Sequence, residues 1–203
     1  MAAVLAASAL VLTACNGGGN PPGGDPSASG SVSASASATP SPTPTASAAY
    51  KPADAKGKAE NVPVPVLPEA AKAETKEGLE AFAKYWYEAL SYAYETGDTT
   101  TWSAMTSTNC AFCTRIRQGL ESAYAKGRWV AGGKMSTPSV AGIFKPETPS
   151  QQVKIQSIQD QIDYYDADGS VGQPPTPSSN TASVMIAVFE SGSWKVSDLG
   201  LIR

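Results

Sequence analysis

The sequence contains no histidine, and this absence excludes more chemistry than any motif in the chain suggests. Without an imidazole there is no Ser-His-Asp arrangement, no histidine acid–base catalysis and no His-containing zinc site. Charge is also sparse: 15 basic and 18 acidic residues give a formal net charge of −3, with no basic stripe for nucleic acid. No apolar run is long enough to cross a membrane. We therefore expect no nucleic-acid partner, no metal and no cofactor.

The chain has only three cysteines, and the first of them ends a short apolar segment. Residues 1–14 are rich in Ala, Val and Leu, which is typical of a signal peptide, although the missing basic residues leave open a start upstream of Met1. The small residues Thr13 and Ala14 precede Cys15, as in the lipobox that lipoprotein signal peptidase cuts. Cys15 is therefore predicted to be the first mature residue and to carry a diacylglycerol, with acyl chains such as palmitate.

Residues 15–60 are predicted to form a disordered tether after the lipidated cysteine. From residue 27 to residue 49 every position except Gly30 and Val32 is Ser, Ala, Thr or Pro, a composition that cannot bury a core. A flexible coil of about 45 residues reaches roughly 40 Å. The Thr-Pro and Ser-Pro pairs are also typical of O-glycosylated stalks, and that alternative stays open. We expect the protein on the outer face of the cell membrane, lipid-anchored and exposed to the cell wall.

Residues 61–203 are predicted to form a single α+β domain that begins with helices. Apolar residues at helical spacing predict a long helix over residues 69–95 that ends near Gly97, with Trp86 on its apolar stripe and Tyr85 beside it. A short helical turn over residues 99–105 follows. A second helix is predicted to start at Asn109 as its N-cap and to stop at Gly127.

Beyond Gly127 the apolar pattern changes to a period of two, which predicts strands. Four strands are predicted, over residues 129–144, 151–165, 181–190 and 193–202. The first should bend at Gly132 and Gly133, and the second should carry a bulge or a strong bend near Gln156 and Ser157. The proline-rich stretch from residue 174 to residue 177 is predicted to be an exposed loop. The third strand is apolar on both faces and should lie centrally in a curved antiparallel sheet packed against the helices.

Five short motifs together resemble an actinobacterial lipoprotein family known as domain of unknown function 6318. They are residues 61–65 (NVPVP), 77–87 (EGLEAFAKYWY), 94–98 (YETGD), 110–113 (CAFC) and 129–133 (WVAGG). The resemblance implies an actinobacterial source and supplies no activity. At the level of fold, helices followed by a bent sheet resemble the cone of nuclear transport factor 2 and its small-enzyme relatives of the SnoaL and ketosteroid-isomerase type. A fold resemblance implies little about function.

The two remaining cysteines, Cys110 and Cys113, are spaced as C-x-x-C at a predicted helix start. This position lowers a thiol pKa and is where thioredoxin-like proteins place their redox pair. The residues before the pair do not predict the strand that a thioredoxin frame requires. With Cys15 lipidated, no other mature thiol remains. We therefore favour a structural disulfide between them over a redox site.

Asp160 is the candidate for acid–base chemistry, because it shares a strand face with Ile162 and Tyr164. If that face points into the cone, Asp160 lies in an apolar pocket and could act as a general base. The polar residues around it favour the alternative, a solvent-exposed edge. With Tyr85 and Trp86 of the first helix, Asp160 and Tyr164 are the candidates for lining a pocket.

Asp163, Asp166 and Asp168 precede Gly169, as acidic residues do in a calcium loop. The outer ligand positions of such a loop would fall on Tyr164 and Pro175, so a plain turn is favoured.

These patterns together predict a lipid-anchored cell-envelope protein whose domain binds a small ligand or an envelope protein. Its membrane contact would be the lipid on Cys15. Two alternatives remain: a small acid–base enzyme of the ketosteroid-isomerase type that uses Asp160, and a thiol-disulfide redox protein that uses Cys110 and Cys113.

Overall fold

The computed structural model describes residues 48–202. The predicted signal peptide, Cys15 and the predicted tether as far as residue 47 lie outside the described residues. Within the described part of the chain, no helix combines the length and apolarity needed to span a bilayer.

The first predicted helix is present as two pieces. A short 3₁₀ helix, Glu69–Lys72, is followed by α1, Lys76–Thr96. The break between them exists because Thr75 is the N-cap of α1, its hydroxyl accepting a hydrogen bond of 3.0 Å from the amide of Gly78. Gly97, with φ of 79°, ends α1 in the left-handed conformation, as the sequence predicts.

Two further helices follow, α2 (Thr100–Ala104) and α3 (Ala111–Tyr124). The N-cap of α3 is Cys110 and not the predicted Asn109: the Sγ of Cys110 accepts a hydrogen bond of 3.2 Å from the amide of Cys113. α3 ends at Tyr124, before the predicted Gly127, because Ala125 has an extended ψ of 149° and Lys126 a positive φ of 57°, and neither conformation continues a helix. A 3₁₀ turn, Ala125–Gly127, fills the interval.

Within residues 48–202, seven strands form two antiparallel sheets, which corrects the expectation of one sheet of about four strands. They are β1 (Trp129–Gly132), β2 (Met135–Ile143), β3 (Gln151–Gln159), β4 (Ile162–Tyr165), β5 (Val171–Thr176), β6 (Ser179–Glu190) and β7 (Ser193–Leu201). One sheet has the order β1-β4-β5 and the other β2-β3-β6-β7. The α+β class with helices packed on antiparallel sheets is confirmed.

The first two predicted strands each divide between the two sheets at a shared corner. The chain leaves β1 at Gly132 and Gly133, and it leaves β3 at Asp160 and Gln161. Gly133 donates an amide hydrogen bond of 2.9 Å to the carbonyl of Gln161, so the two corners hold each other. Gly132 has φ of 77°, and a Cβ there would lie 2.1 Å from the carbonyl oxygen of Gln161. Only glycine fits this corner.

Two strand predictions are wrong in detail. β3 pairs with β6 without interruption, so no bulge lies at Gln156 and Ser157. The irregularity lies on the partner strand, between Ser136 and Ser139 of β2, where Pro138 cannot donate a hydrogen bond. Residues 174–176 of the proline-rich stretch predicted as a loop belong to β5, an exposed edge strand, because an edge tolerates residues that do not donate.

The main core lies between α1 and the four-stranded sheet. Leu79, Trp86 and Leu90 of α1 are fully buried there, together with Ile155 of β3 and Met185 of β6. β6 lies between β3 and β7, which confirms its predicted central place.

Residues 48–60 belong to the folded unit, although the sequence assigns them to the tether. Lys51 and Glu60 exchange backbone hydrogen bonds of 3.0 and 2.9 Å, which closes a small hairpin-like arm. The indole Nε1 of Trp129 donates a 2.8 Å hydrogen bond to the carbonyl of Asp54 in this arm, and the Tyr50 hydroxyl donates one of 2.8 Å to Glu95. The predicted domain start at residue 61 therefore falls too late.

Candidate functional site

A cleft of about 500 Å³ opens between α3 and the three-stranded sheet. Phe112, Ile116 and Leu120, spaced i, i+4 and i+8, form its helix wall, and Ile162 and Tyr164 of β4 lie on its sheet wall. The apolar stripe of a helix normally faces a core, yet Phe112 and Ile116 are only half-buried. Small-molecule sites in proteins have this size, about 300–1,000 Å³. The lining combines apolar side chains with polar and charged ones.

A glycine stands in the middle of α3, on the wall of this cleft. Gly119 lies in regular helix, where glycine costs about 1 kcal/mol relative to alanine. Neither conformation nor packing requires it, since a Cβ at this position would meet no atom within 4 Å. The missing side chain leaves room beside the cleft at the expense of helix stability.

A few polar side chains converge on the inner part of the cleft. The hydroxyl of Tyr164 lies 2.9 Å from Oγ1 of Thr176, so the two groups satisfy each other. Tyr94 of α1 and Gln159 of β3 also line the cleft. Burial raises the pKa of Tyr94, the nearby Tyr164 raises it further, and a hydrogen bond with Gln159 opposes the shift. Tyr94 therefore stays a neutral phenol at physiological pH.

The charged residues of the cleft have one sign. Among the described residues, Arg115 and Arg128 line it, and no Asp or Glu does. The guanidinium of Arg128 donates to the carbonyls of Ser122 and Ala125, with 3.2 Å from Nε to the latter, so it is fixed against the end of α3. The guanidinium carbon of Arg115 lies 5.6 Å from the ring centroid of Phe112, a cation–π geometry.

The four predicted pocket residues are not brought together. Tyr164 lines the cleft described above. Tyr85 lines a second cleft of about 370 Å³, beside Phe82 and Trp194. Trp86 is fully buried in the main core. Tyr85 and Trp86 are separated because residues adjacent in the sequence of one helix face different sides of it.

Asp160 occupies a third place, at the corner between β3 and β4. Its side chain is exposed, and it lines a cleft of about 180 Å³ with Tyr50, Glu95 and Lys134. The general-base hypothesis requires an apolar pocket around the carboxylate, and this position does not supply one.

A model of the Family of unknown function (DUF6318) matches residues 48–200 of the chain. The chain belongs to this family. No curated protein matches it.

Three solved structures are similar to parts of this DUF6318 chain. The intermembrane space region of the chloroplast protein ARC6 has 6% sequence identity and a TM-score of 0.45, over 64% of this chain and 97% of its own. Aln2 from a Streptomyces species has 12% identity and a TM-score of 0.40, over 62% and 89%. An uncharacterized protein with a cystatin-like fold from Caulobacter vibrioides has 13% identity and a TM-score of 0.41, over 62% and 89%.

The cysteine pair of the DUF6318 domain forms the predicted disulfide. Cys110 and Cys113 are bonded at 2.01 Å, at the start of α3. The two residues are 0% and 1% exposed. A thiol-disulfide exchange catalyst needs an accessible sulfur for the attacking thiolate, and this bridge offers none.

The acidic residues after β4 form a turn. The carbonyl of Ser170 accepts the amide of Asp166 at 2.9 Å, and a carboxylate oxygen of Asp168 accepts the amide of Ser170 at 3.0 Å. The side-chain and backbone hydrogen bonds from Ser170 lower the pKa of Asp168. Across residues 48–202, no group of three or more acidic, cysteine or histidine side chains is arranged to hold a metal ion.

Sequence reasoning missed most of the cleft, above all Gly119, Arg115 and Arg128. One signal was present: a glycine in the middle of a predicted helix weakens the helix and therefore indicates a packing or functional role for that position. The arginines carried no local signal, because only the pairing of β4 with β1 and β5 brings the sheet opposite α3.

Proposed function

We propose that this DUF6318 domain binds a small ligand in the cleft between α3 and the three-stranded sheet, and does not transform it chemically. The observation that carries the proposal is Gly119: a helix-weakening residue, free of packing constraints, on the wall of a 500 Å³ cleft. The half-buried stripe of Phe112 and Ile116 supports it, because apolar side chains left accessible inside a concave surface favour ligand binding.

The chemistry of the lining favours binding over catalysis. The titratable groups that line the cleft within the described residues are arginines and tyrosines. An arginine stays protonated at any physiological pH, and the raised pKa of Tyr94 keeps its proton in place. Neither type of group serves as a general base near neutral pH.

The proposed location is the outer face of the cell membrane, with Cys15 as the lipidated residue. The apolar residues 1–14 and the lipobox before Cys15 support it. The Cys110–Cys113 disulfide is also typical of an oxidising compartment outside the cytosol.

The anchor is tested by Cys15→Ser in cells that export the protein. Wild-type chain should sediment with membranes, and its mature N-terminal peptide should begin at Cys15 with the mass of the attached lipid. The Cys15→Ser chain should leave the membrane fraction or stay unprocessed. Wild-type protein recovered without lipid and with residues 1–14 intact contradicts the anchor.

The cleft is tested with Nile red, a neutral apolar dye whose fluorescence rises on burial. The full chain carrying Cys15→Ser, which keeps it unlipidated, should bind the dye. Gly119→Trp should fill the cleft and weaken binding at least tenfold, whereas Gly119→Ala, which adds one methyl, should leave binding unchanged. Equal binding by the Trp and Ala variants, with native circular dichroism for both, overturns the proposal.

A further inference from the structure

We propose that the ligand of this cleft is an acidic amphiphile: a molecule with one apolar chain and one negatively charged end, such as a fatty carboxylate. The inference rests on the proposed function and adds the chemical class of the ligand. Three observations carry it: the sign of the charges, the state of Arg115, and the apolar wall beside it.

The charges that line the cleft are opposite in sign to the chain as a whole. The protein carries a formal net charge of −3, yet the charged residues lining the cleft, among those described, are both arginines. A concave surface with one sign of charge focuses its potential and attracts ligands of the opposite sign. The ligand end that reaches these residues is therefore an anion.

The two arginines differ in their freedom to meet a ligand. Arg128 already donates two hydrogen bonds to the carbonyls at the end of α3, so it adds positive potential from a fixed position. Arg115 is exposed and rests over the ring of Phe112, and it forms no ion pair within the described residues. A guanidinium presents paired N–H donors that match a carboxylate, so Arg115 is assigned the headgroup contact.

The wall next to Arg115 fits an apolar chain. Ile116 and Leu120 continue from Phe112 along the same face of α3, and Gly119 leaves open space between their turns. Opposite them, the Tyr164 hydroxyl is satisfied by Thr176, so the sheet wall does not require a polar ligand group there. Each ligand methylene buried along this wall should tighten binding about fourfold.

The test uses pairs of ligands that share a chain and differ in charge. Dodecanoate and dodecyltrimethylammonium, both below their micelle concentrations, compete with Nile red on the full Cys15→Ser chain. Dodecanoate should displace the dye at a concentration at least tenfold lower. Hexanoate should displace it more weakly than dodecanoate, because it buries fewer methylenes.

Arg115→Gln should abolish the preference for dodecanoate, measured for each variant as the ratio of the displacing concentrations of the two dodecyl compounds, so that any change in Nile red affinity cancels. Arg117→Gln is the matched control, since Arg117 lies on the same helix but faces Glu121, with 3.9 Å between Nε and the carboxylate. The control variant should keep the full preference. If both variants lose the preference for dodecanoate, the preference depends on the net charge of the protein and not on a contact with Arg115, and the role of Arg115 is overturned.

The outcomes separate this inference from the function on which it rests. Equal displacement by both dodecyl compounds, while Gly119→Trp still blocks Nile red, overturns the acidic class and leaves the cleft standing. No binding of Nile red overturns the cleft itself. A third outcome is that the protein sediments with phosphatidylglycerol vesicles but not with phosphatidylcholine vesicles, and that dodecanoate does not displace Nile red. The negative charge that the cleft recognises then belongs to a membrane headgroup, and the proposal of a single-chain ligand is overturned. Displacement by inorganic phosphate as effective as dodecanoate removes the apolar chain from the proposal.

Discussion

The indole Nε1 of Trp86 donates a hydrogen bond of 2.8 Å to Oγ1 of Thr106 inside the core. The same hydroxyl donates one of 2.7 Å to the carbonyl of Trp102. This relay ties α1 to the end of α2 in a place that water does not reach. It also explains why Trp86 is a core residue and not a pocket residue: its one polar atom already has a partner.

Thr106→Val should lower the free energy of unfolding by about 1–3 kcal/mol, because it leaves the buried Trp86 Nε1 without an acceptor at nearly unchanged volume. Thr106→Ser keeps the hydroxyl, so its free energy of unfolding should fall by less than that of the valine variant. Urea unfolding followed by tryptophan fluorescence measures both. A valine variant as stable as the serine variant would show that the hydrogen bond contributes nothing net.

Local sequence signals predicted this fold well at positions where one or two residues decide where a helix ends or where the chain turns. Gly97 ends α1 as predicted, and Ser191 and Gly192, with φ of 51° and 78°, form a two-residue turn in the gap between the strands predicted over residues 181–190 and 193–202. The apolar alternation on both faces of β6 placed it correctly inside a sheet. Each of these signals lies within the few residues that it shapes.

The parts that failed depend on residues far apart in the chain. The bend at Gly132 and Gly133 was predicted, but its partner corner at Asp160 and Gln161, which sends the strands into a second sheet, was not. The attachment of residues 48–60 to the folded domain depends in part on Trp129, which lies 75 residues beyond its hydrogen-bond partner Asp54. The cleft depends on the second sheet, so its walls could not be assembled from periodicity alone.

Gly132→Ala tests the corner between the sheets. A Cβ at this position has to enter the space of a backbone carbonyl and adopt an unfavourable positive φ, so we expect a loss of several kcal/mol or failure to fold. Gly200→Ala is the matched control, because a Cβ there meets no atom within 4 Å. Thermal melts of the two variants should differ widely. Equal melting temperatures would mean that the corner relaxes freely.

Removing the disulfide should lower the free energy of unfolding by less than the loss of a typical disulfide does. Cys110→Ala with Cys113→Ala opens a loop with a sequence separation of 3, so the expected loss is about 1–3 kcal/mol. Cys110→Ser with Cys113→Ala should recover about 1 kcal/mol of it, because serine restores the N-cap of α3 that the Cys110 sulfur provides. Urea midpoints measure the difference.

The same pair decides the redox alternative. Because both cysteines are buried, the folded wild-type chain should not catalyse the reduction of insulin by dithiothreitol. Turnover that disappears in Cys110→Ser would reverse this assignment and make the bridge a catalytic one.

The N-terminal arm should stabilise the domain. A chain that starts at residue 48 should unfold at higher urea than one that starts at residue 61, because only the longer chain offers the Asp54 carbonyl to the indole of Trp129. The expected difference is about 1–3 kcal/mol. Trp129→Phe in both chains should shrink the gap. Identical urea midpoints for the two chains would show that residues 48–60 do not stabilise the domain and belong with the tether.

Alkaline pH should destabilise the domain through its buried phenols. Burial raises the pKa values of Tyr87, Tyr94 and Tyr124 above the ordinary 10.0. Above pH 10 the unfolded chain therefore releases these protons while the folded chain retains them, and the free energy of unfolding falls as the pH rises. Below pH 10 these groups are protonated in both states and stability should not depend on them. The loss continues until the pH passes the folded pKa values.

Each such tyrosine contributes a slope of up to about 1.4 kcal/mol per pH unit. Tyr94→Phe removes one ionisable group, so its stability should fall less steeply with pH than that of the wild type, even if the two differ at pH 7. Urea unfolding from pH 8 to pH 12 supplies both slopes, and the phenolate absorbance of the native chain should appear later than that of the unfolded chain. If Tyr94→Phe leaves the slope unchanged, the Tyr94 phenol ionises in the folded domain as readily as in water, and the inner part of the cleft is wet.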